Sequence, residues 1–305
     1  MRMRWVRLLG PSLLGLVLVG CGGGGPALQS PVSASNAGMF DIGGGRRMYL
    51  ECYGVGAPTV VLVAGKGHRA DTWHTTNAEP PNENASVIFR TASSTRVCAY
   101  DRPNTKGPDG EPSRSDPAAE PTTARASVDD LHALLAAAHV PGPYVIVGHS
   151  YGGLVARLYA STYPDEVAGL VLEDSLSEGL YARLTPAQRD VLEAINLDPE
   201  RIATVTSFAQ VTSAPPVRTV PMTILTADQP PLSRQDVATG LLPSFVTVEF
   251  VEALWTAQVA AQDDLARLFP FAKHVTKTNS RHYIHVEQPQ LVADSIREVV
   301  DAVRR

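Results

Sequence analysis

Short unbroken runs of branched apolar residues recur along the body of the chain, at residues 59–63, 96–100, 144–147, 169–172 and 222–225, each bounded by glycine, proline or polar turn residues. Runs of this length without alternation suit strands covered on both faces, as in a parallel sheet. Residues 47–53 alternate between apolar and polar and read as a β-rich strand, and a further strand is expected at 273–276. Between these runs the apolar residues move to helical spacing. Residues 127–138 carry Asp129 and Asp130 opposite a Leu/Ala face, with Ser127 as N-cap and a stop before Pro141-Gly142. Helices are also expected from 154 onward, near 251–268 and at 288–303. Strands that alternate with helices predict an α/β protein with a doubly wound, mostly parallel sheet.

Two stretches interrupt this alternation. Residues 104–123 are rich in Pro, Ser, Asp and Gly and read as an irregular loop over the sheet edge. Residues 178–218, between two strands, hold a helix at 186–195 and lie where a lid over a carboxyl-edge site would be built, giving a lid insertion at about 177–219. With 305 residues, of which 44% are hydrophobic and 19% charged, one large domain accounts for the core, and no internal repeat or second core is evident. The net charge of −5, without a Lys/Arg stripe in the body, gives no electrostatic support for a nucleic-acid partner.

The amino terminus has a different character. Arg2, Arg4 and Arg7 precede an apolar stretch at 8–19 that is too short to span a bilayer and of the right length for a signal-peptide core, so residues 1–20 are expected to be removed. Leu18-Val19-Gly20-Cys21 resembles the lipobox of bacterial lipoproteins, which implies that Cys21 becomes a lipidated first residue; the alternative is a small-residue cleavage site with an incidental cysteine. Residues 21–37, glycine-rich and then rich in Pro, Ser and Ala, suit a flexible tether to a domain at 38–305. The expected setting is extracytoplasmic, at a membrane surface held through the lipid.

Candidate chemistry centres on Gly148-His149-Ser150-Tyr151-Gly152, which follows the apolar run 144–147 and precedes a helical pattern. A strand, a turn so tight that its flanks must be nearly side-chain-free, and an immediate helix make a nucleophile elbow that presents Ser150 over the sheet edge. Three other segments join it. Tyr100-Asp101-Arg102 ends a strand, Tyr163-Pro164-Asp165-Glu166-Val167 ends the helix after the serine, and Ser280-Arg281-His282-Tyr283-Ile284-His285 precedes the last helix. Together these resemble the α/β-hydrolase superfamily, from about Gly38 to the carboxyl terminus.

That resemblance implies a serine hydrolase using a Ser, Asp, His chain order. Serine is a poor nucleophile at neutral pH and needs a base, for which His282 is the candidate, with His285 supporting its loop and His149 packing beneath the turn. The acid that orients the base is a choice between two residues. Asp228, after the strand at 222–225, is favoured; Asp174, after the preceding strand, is the alternative, and Glu173 is expected to be solvated or lid-facing. Oxyanion-hole donors are expected to be the backbone N–H groups of Tyr151 and of Lys66 in Ala64-Gly65-Lys66-Gly67, with the lysine side chain reaching solvent, the alternative being contact with an anionic substrate.

The same resemblance makes the strands carrying Cys52 and Cys98 neighbours, which supports a disulfide between them; two buried thiols are the alternative. No metal is expected, since His68 and His74 lack further ligands at suitable spacing, and Trp73 is expected in the core or a pocket wall. Gly65 and Gly67 do not continue into a phosphate-binding pattern, and no organic cofactor is expected. The implied substrate is a small acyl compound: a carboxylic ester, amide or thioester cleaved through an acyl-serine. The alternatives are a non-catalytic ligand-binding relative, or acyl-transfer or haloperoxidase-type chemistry on the same residues.

Overall fold

The computed structural model describes residues 34–305 apart from 197 and 198. The expectations for the signal segment, Cys21 and most of the tether therefore lie outside the described residues. Eight strands form one sheet: β1 (Asn36–Gly43), β2 (Arg46–Tyr53), β3 (Thr59–Val63), β4 (Val97–Tyr100), β5 (Tyr144–His149), β6 (Val167–Glu173), β7 (Met222–Leu225) and β8 (Lys273–Val275). Among the described residues ten α-helices accompany them. They are α1 (Val87–Ala92), α2 (Ala124–Ala137), α3 (Tyr151–Thr162), α4 (Glu178–Arg183), α5 (Pro186–Ile195), α6 (Thr204–Thr212), α7 (Arg234–Ala238), α8 (Val248–Leu268), α9 (Ile284–Glu287) and α10 (Pro289–Val303). No helix among the described residues is long and apolar enough to cross a membrane.

The strand order is β1-β2-β4-β3-β5-β6-β7-β8, antiparallel at β1/β2 and β2/β4 and parallel from β4 through β8. Parallel strands need crossovers, and these put helices on both faces. Successive residues of β5 show the result: Ile146 joins one apolar cluster with the α2 and α3 residues Leu131, Leu135 and Leu154, while Val145 and Val147 join another with Val87 and Ile88 of α1 and Ile296 of α10. The chain runs outward from β3 to β4, then returns to place β5 on the other side of β3. That reversal is a topological switch point, where the loops after two adjacent parallel strands diverge and leave a crevice. Here they are the loops after β3 and β5.

Several local readings change in three dimensions. The first strand, β1, starts at Asn36 and was not anticipated; it pairs with β2 through a register in which Asn36 faces Cys52, so the domain begins inside the expected tether. Helix α2 begins at Ala124 with Thr123 as its cap, whose side chain accepts the Ala126 N–H. Ser127 instead turns inward, with its hydroxyl 3.2 Å from that of Tyr151. Cys52 and Cys98 are cross-strand partners in the β2/β4 register and are joined as a disulfide.

The lid is larger than expected. Helices α4, α5 and α6 come from the 177–219 insertion, and α7 with its flanking loops adds a second segment between β7 and α8. Leu180, Leu184 and Leu192 pack with Phe250, Leu254 and Ala257 of α8 in a small apolar core separate from the sheet's. α8 thus ties the lid to the domain.

Candidate active site

Ser150 stands between β5 and α3 with φ 52° and ψ −121°, a conformation that L-residues rarely adopt. Its backbone is held on both sides: the N–H donates to the Glu173 carbonyl (3.1 Å), and the carbonyl accepts from Gly153 and Leu176 (2.9 Å each). Close packing dictates the glycine that follows. A Cβ at Gly152 would lie 2.1 Å from the Val63 carbonyl oxygen, so any side chain there would push the elbow off β3.

The next strand supplies the carboxylate. Asp174 follows β6 with φ 37°, its N–H bound to the Leu225 carbonyl (2.7 Å), and it is 2% exposed. One oxygen accepts the Ala227 N–H (3.2 Å); the other lies 2.6 Å from His282 Nδ1 and accepts from Gln258 at 3.3 Å. With Nδ1 committed to Asp174, Nε2 is the ring nitrogen left for the cavity that His282 and Ser150 both line. Burial works against a charged ring at His282, but the hydrogen bond it donates to Asp174 and the charges of Asp174 and Glu173 outweigh it and raise the pKa above 6.5.

This geometry reverses the preference for Asp228. That residue is exposed, and its carboxylate accepts the Ser280 N–H (2.9 Å) and the Thr278 hydroxyl (3.3 Å). It braces the loop that carries His282 and is not bonded to the ring. Glu173 also departs from expectation, being fully buried with one oxygen accepting both the N–H (2.7 Å) and Nδ1 (2.6 Å) of His285. His285 is closed off further by Thr72 at 3.2 Å from Nε2 and by Trp73, whose ring centroid is 4.6 Å away. It anchors the histidine loop from below.

His149 lies under the elbow, with Nε2 3.0 Å from the His282 carbonyl. Burial, followed by the neighbouring His282, His285 and His68, pushes its pKa well below 6.5, so the ring is neutral and donates that hydrogen bond. Donor atoms of His149, Glu173 and His285 come within 4.8 Å of one another, the one such buried set among the described residues. All three already have partners: Glu173 Oε1 serves His285 Nδ1, His285 Nε2 meets Thr72 and His149 Nε2 serves His282. That leaves His149 Nδ1 and Glu173 Oε2 as the unpaired atoms of the set, which reads as hydrogen bonding rather than as an open ligand sphere.

On the other side of the serine, Gly65 and Lys66 border the same cavity, and a Cβ on Gly65 would meet Ser150 Cβ at 3.3 Å. The Lys66 ammonium, expected to reach solvent, donates an exposed hydrogen bond to the Asn196 carbonyl in the lid (3.2 Å). Behind this loop sit Arg102, already singled out as part of the Tyr100-Asp101-Arg102 segment, and Glu200, which the sequence did not point to. Glu200, from the lid, and Arg102, from the end of β4, form a buried ion pair against residues 64–67.

The cavity measures about 580 Å³ and its upper wall is apolar, with Leu176, Leu180, Leu192, Leu232, Leu242 and Leu254. Both lid segments contribute. The 104–123 loop lines none of it; its Arg114 is engaged with Asp101 and Asp71 instead.

The sequence pattern of the Alpha/beta hydrolase family matches residues 60–295, more than half the chain. This protein belongs to that family. Among curated relatives, the hydrolase is 52% identical over 58 residues to Lipase LipV of Mycobacterium tuberculosis, covering 19% of this chain and 22% of the lipase. It is 30% identical over 166 residues to the "Probable transporter efuK" of Hormonema carpetanum, covering 52% of this chain and 21% of that protein. The chain thus spans only about a fifth of the length of each. A thermophilic esterase from Thermogutta terrifontis superposes with a TM-score of 0.56 at 20% identity, over 89% of this chain and 100% of the esterase, which shows the shared fold.

Proposed function

We propose that this hydrolase cleaves carboxylic esters with apolar groups through an acyl-Ser150 intermediate. The observation that carries the reading is the 2.6 Å contact of His282 Nδ1 with Asp174, made by a histidine that lines one cavity with Ser150. In this scheme His282 Nε2 takes the Ser150 proton as Oγ attacks the carbonyl carbon. Asp174 holds the ring in the tautomer that leaves Nε2 free and stabilises the imidazolium. The backbone N–H groups of Lys66 and Tyr151 receive the oxyanion, His282 returns the proton to the departing alcohol, and water repeats the sequence to free the acid.

The leucine-rich wall favours an acyl or alcohol moiety without charge. The local likeness to a lipase and the fold shared with an esterase support the ester reading over amide cleavage. We further propose that the domain works outside the cytoplasm, which the Cys52–Cys98 disulfide supports, with Cys21 as its lipid anchor.

A fluorophosphonate probe tests the chemistry. It is expected to label the protein at Ser150, with Ser150→Ala abolishing both labelling and hydrolysis of p-nitrophenyl esters, and with medium-chain esters preferred to acetate. Turnover persisting in Ser150→Ala would overturn the proposal, and absence of labelling in the unmodified protein would favour a ligand-binding role.

A further inference from the structure

The Arg102–Glu200 pair is 3% and 1% exposed and belongs to none of the groups assigned above to the acid, base or nucleophile. It is bidentate, with Arg102 Nε 2.6 Å from one Glu200 oxygen and Nη2 2.9 Å from the other. Such a pair is costly to bury unless its remaining donors and acceptors are used. They are used on one short stretch. Arg102 donates to the Ala64 carbonyl (2.7 Å) and the Gly65 carbonyl (2.6 Å), and Glu200 accepts the Gly67 N–H (2.7 Å).

The consequence follows from peptide geometry. In a planar trans peptide the C=O and the following N–H point in opposite directions. The Gly65–Lys66 bond is not among the cis peptides, so with the Gly65 carbonyl drawn toward Arg102, the Lys66 N–H points the opposite way, away from the guanidinium; Lys66 and Ser150 line the same cavity. The same guanidinium carbon lies 5.3 Å from the centroid of the Tyr151 ring. Arg102 therefore contacts both segments from which the proposed mechanism takes its oxyanion donors, the 64–67 loop and Tyr151. Glu200 arrives from the lid, and a second lid group, the Asn196 carbonyl, accepts from the Lys66 ammonium.

We propose that Glu200 and Arg102 are positioning residues that set the Lys66 N–H, so that docking of the lid segment carrying Glu200 assembles the oxyanion hole. The inference rests on the esterase reading above. It differs from a merely structural ion pair in predicting a loss confined to the transition state. Removing one oxyanion donor costs about 10²–10³-fold in kcat, and a misplaced one somewhat less.

The test compares the unmodified protein with Glu200→Gln, which keeps the shape and loses the charge, and Arg102→Lys, which keeps the charge and loses the planar fork. For variants that retain the native circular-dichroism spectrum, kcat on a p-nitrophenyl ester is expected to fall about 10–10²-fold with KM within about twofold. Affinity for an alkyl boronic acid, whose tetrahedral serine adduct places an oxygen in the hole, is expected to fall by the same factor. The acid limb of the pH profile stays in place, because His282 and Asp174 are untouched. A kcat within about twofold of the unmodified protein in a folded variant overturns the proposal, as does a fall in kcat with boronate affinity unchanged. If Glu200→Gln does not fold, Arg102→Lys decides. An unmodified protein inert to fluorophosphonate removes the esterase reading itself, a result distinct from either.

Discussion

His282 Nδ1 lies 2.6 Å from Asp174 Oδ2, while Asp228, past the end of the neighbouring strand, turns its carboxylate to the Ser280 N–H at 2.9 Å. The two aspartates follow adjacent parallel strands, β6 and β7, and only one reaches the ring. Asp174→Asn is expected to lower kcat on a p-nitrophenyl ester by about 10²–10⁴-fold, because an amide can hold the wrong tautomer and cannot stabilise the imidazolium. Asp228→Asn keeps an oxygen that can accept the Ser280 N–H, and its kcat is expected within about threefold of the unmodified protein. The reverse ranking would return the acid's role to Asp228.

The pH profile reports the same contact. A general base works only when neutral, and His282 has its pKa raised, so the acid limb of kcat/KM is expected to have its midpoint above 6.5. In Asp174→Asn the charge that most favours the imidazolium is gone while the burial that opposes it stays. The midpoint then moves to lower pH, and a midpoint that rises or does not move would contradict the assignment.

Ser150 holds φ 52°, and that strain is separable from its chemistry. Ser150→Gly is expected to be inactive and more stable by about 1 kcal/mol, the relief of about 1–3 kcal/mol of backbone strain being partly offset by the greater freedom of glycine in the unfolded chain. Urea unfolding measures this directly. A glycine variant no more stable than Ser150→Ala would show that the elbow is unstrained.

The Cys52–Cys98 disulfide closes a 46-residue separation and is buried at the centre of the β2/β4 pairing. The chain-entropy account puts such a closure at about 4 kcal/mol, so replacing both cysteines by alanine is expected to lower unfolding stability by about 2–4 kcal/mol. Ser150 and Asp174 follow the carboxyl ends of other strands, β5 and β6, so kcat is expected to be little changed. A melting temperature equal to that of the oxidised protein would show that the bond contributes nothing.

Ser150 was legible because its signal is local: a β run, two glycines and a helix start within a dozen residues impose one geometry. His282 was legible from its place before the last helix. The acid was not, since Asp174 and Asp228 both stand just beyond strands of the same sheet, and which carboxylate turns inward depends on backbone dihedrals and on amide groups about 50 residues away. Glu173 was misjudged for the same reason. A glutamate at a strand end looks solvent-facing until His285, 112 positions along, is folded over it.

Glu200 gave no signal at all. It sits in an irregular part of the lid, and its partner Arg102 is 98 residues away, so no periodicity or motif could connect them. The amino-acid sequence alone determined the alternation of strand and helix, the sheet's parallel character and the serine's strained turn, because each follows from side-chain spacing and local sterics. Tertiary structure alone decided which aspartate meets His282, where the Lys66 ammonium goes and which lid residue braces the 64–67 loop. Those outcomes are contacts between segments far apart in the chain, selected by the need to pair every charge and amide that folding removes from water.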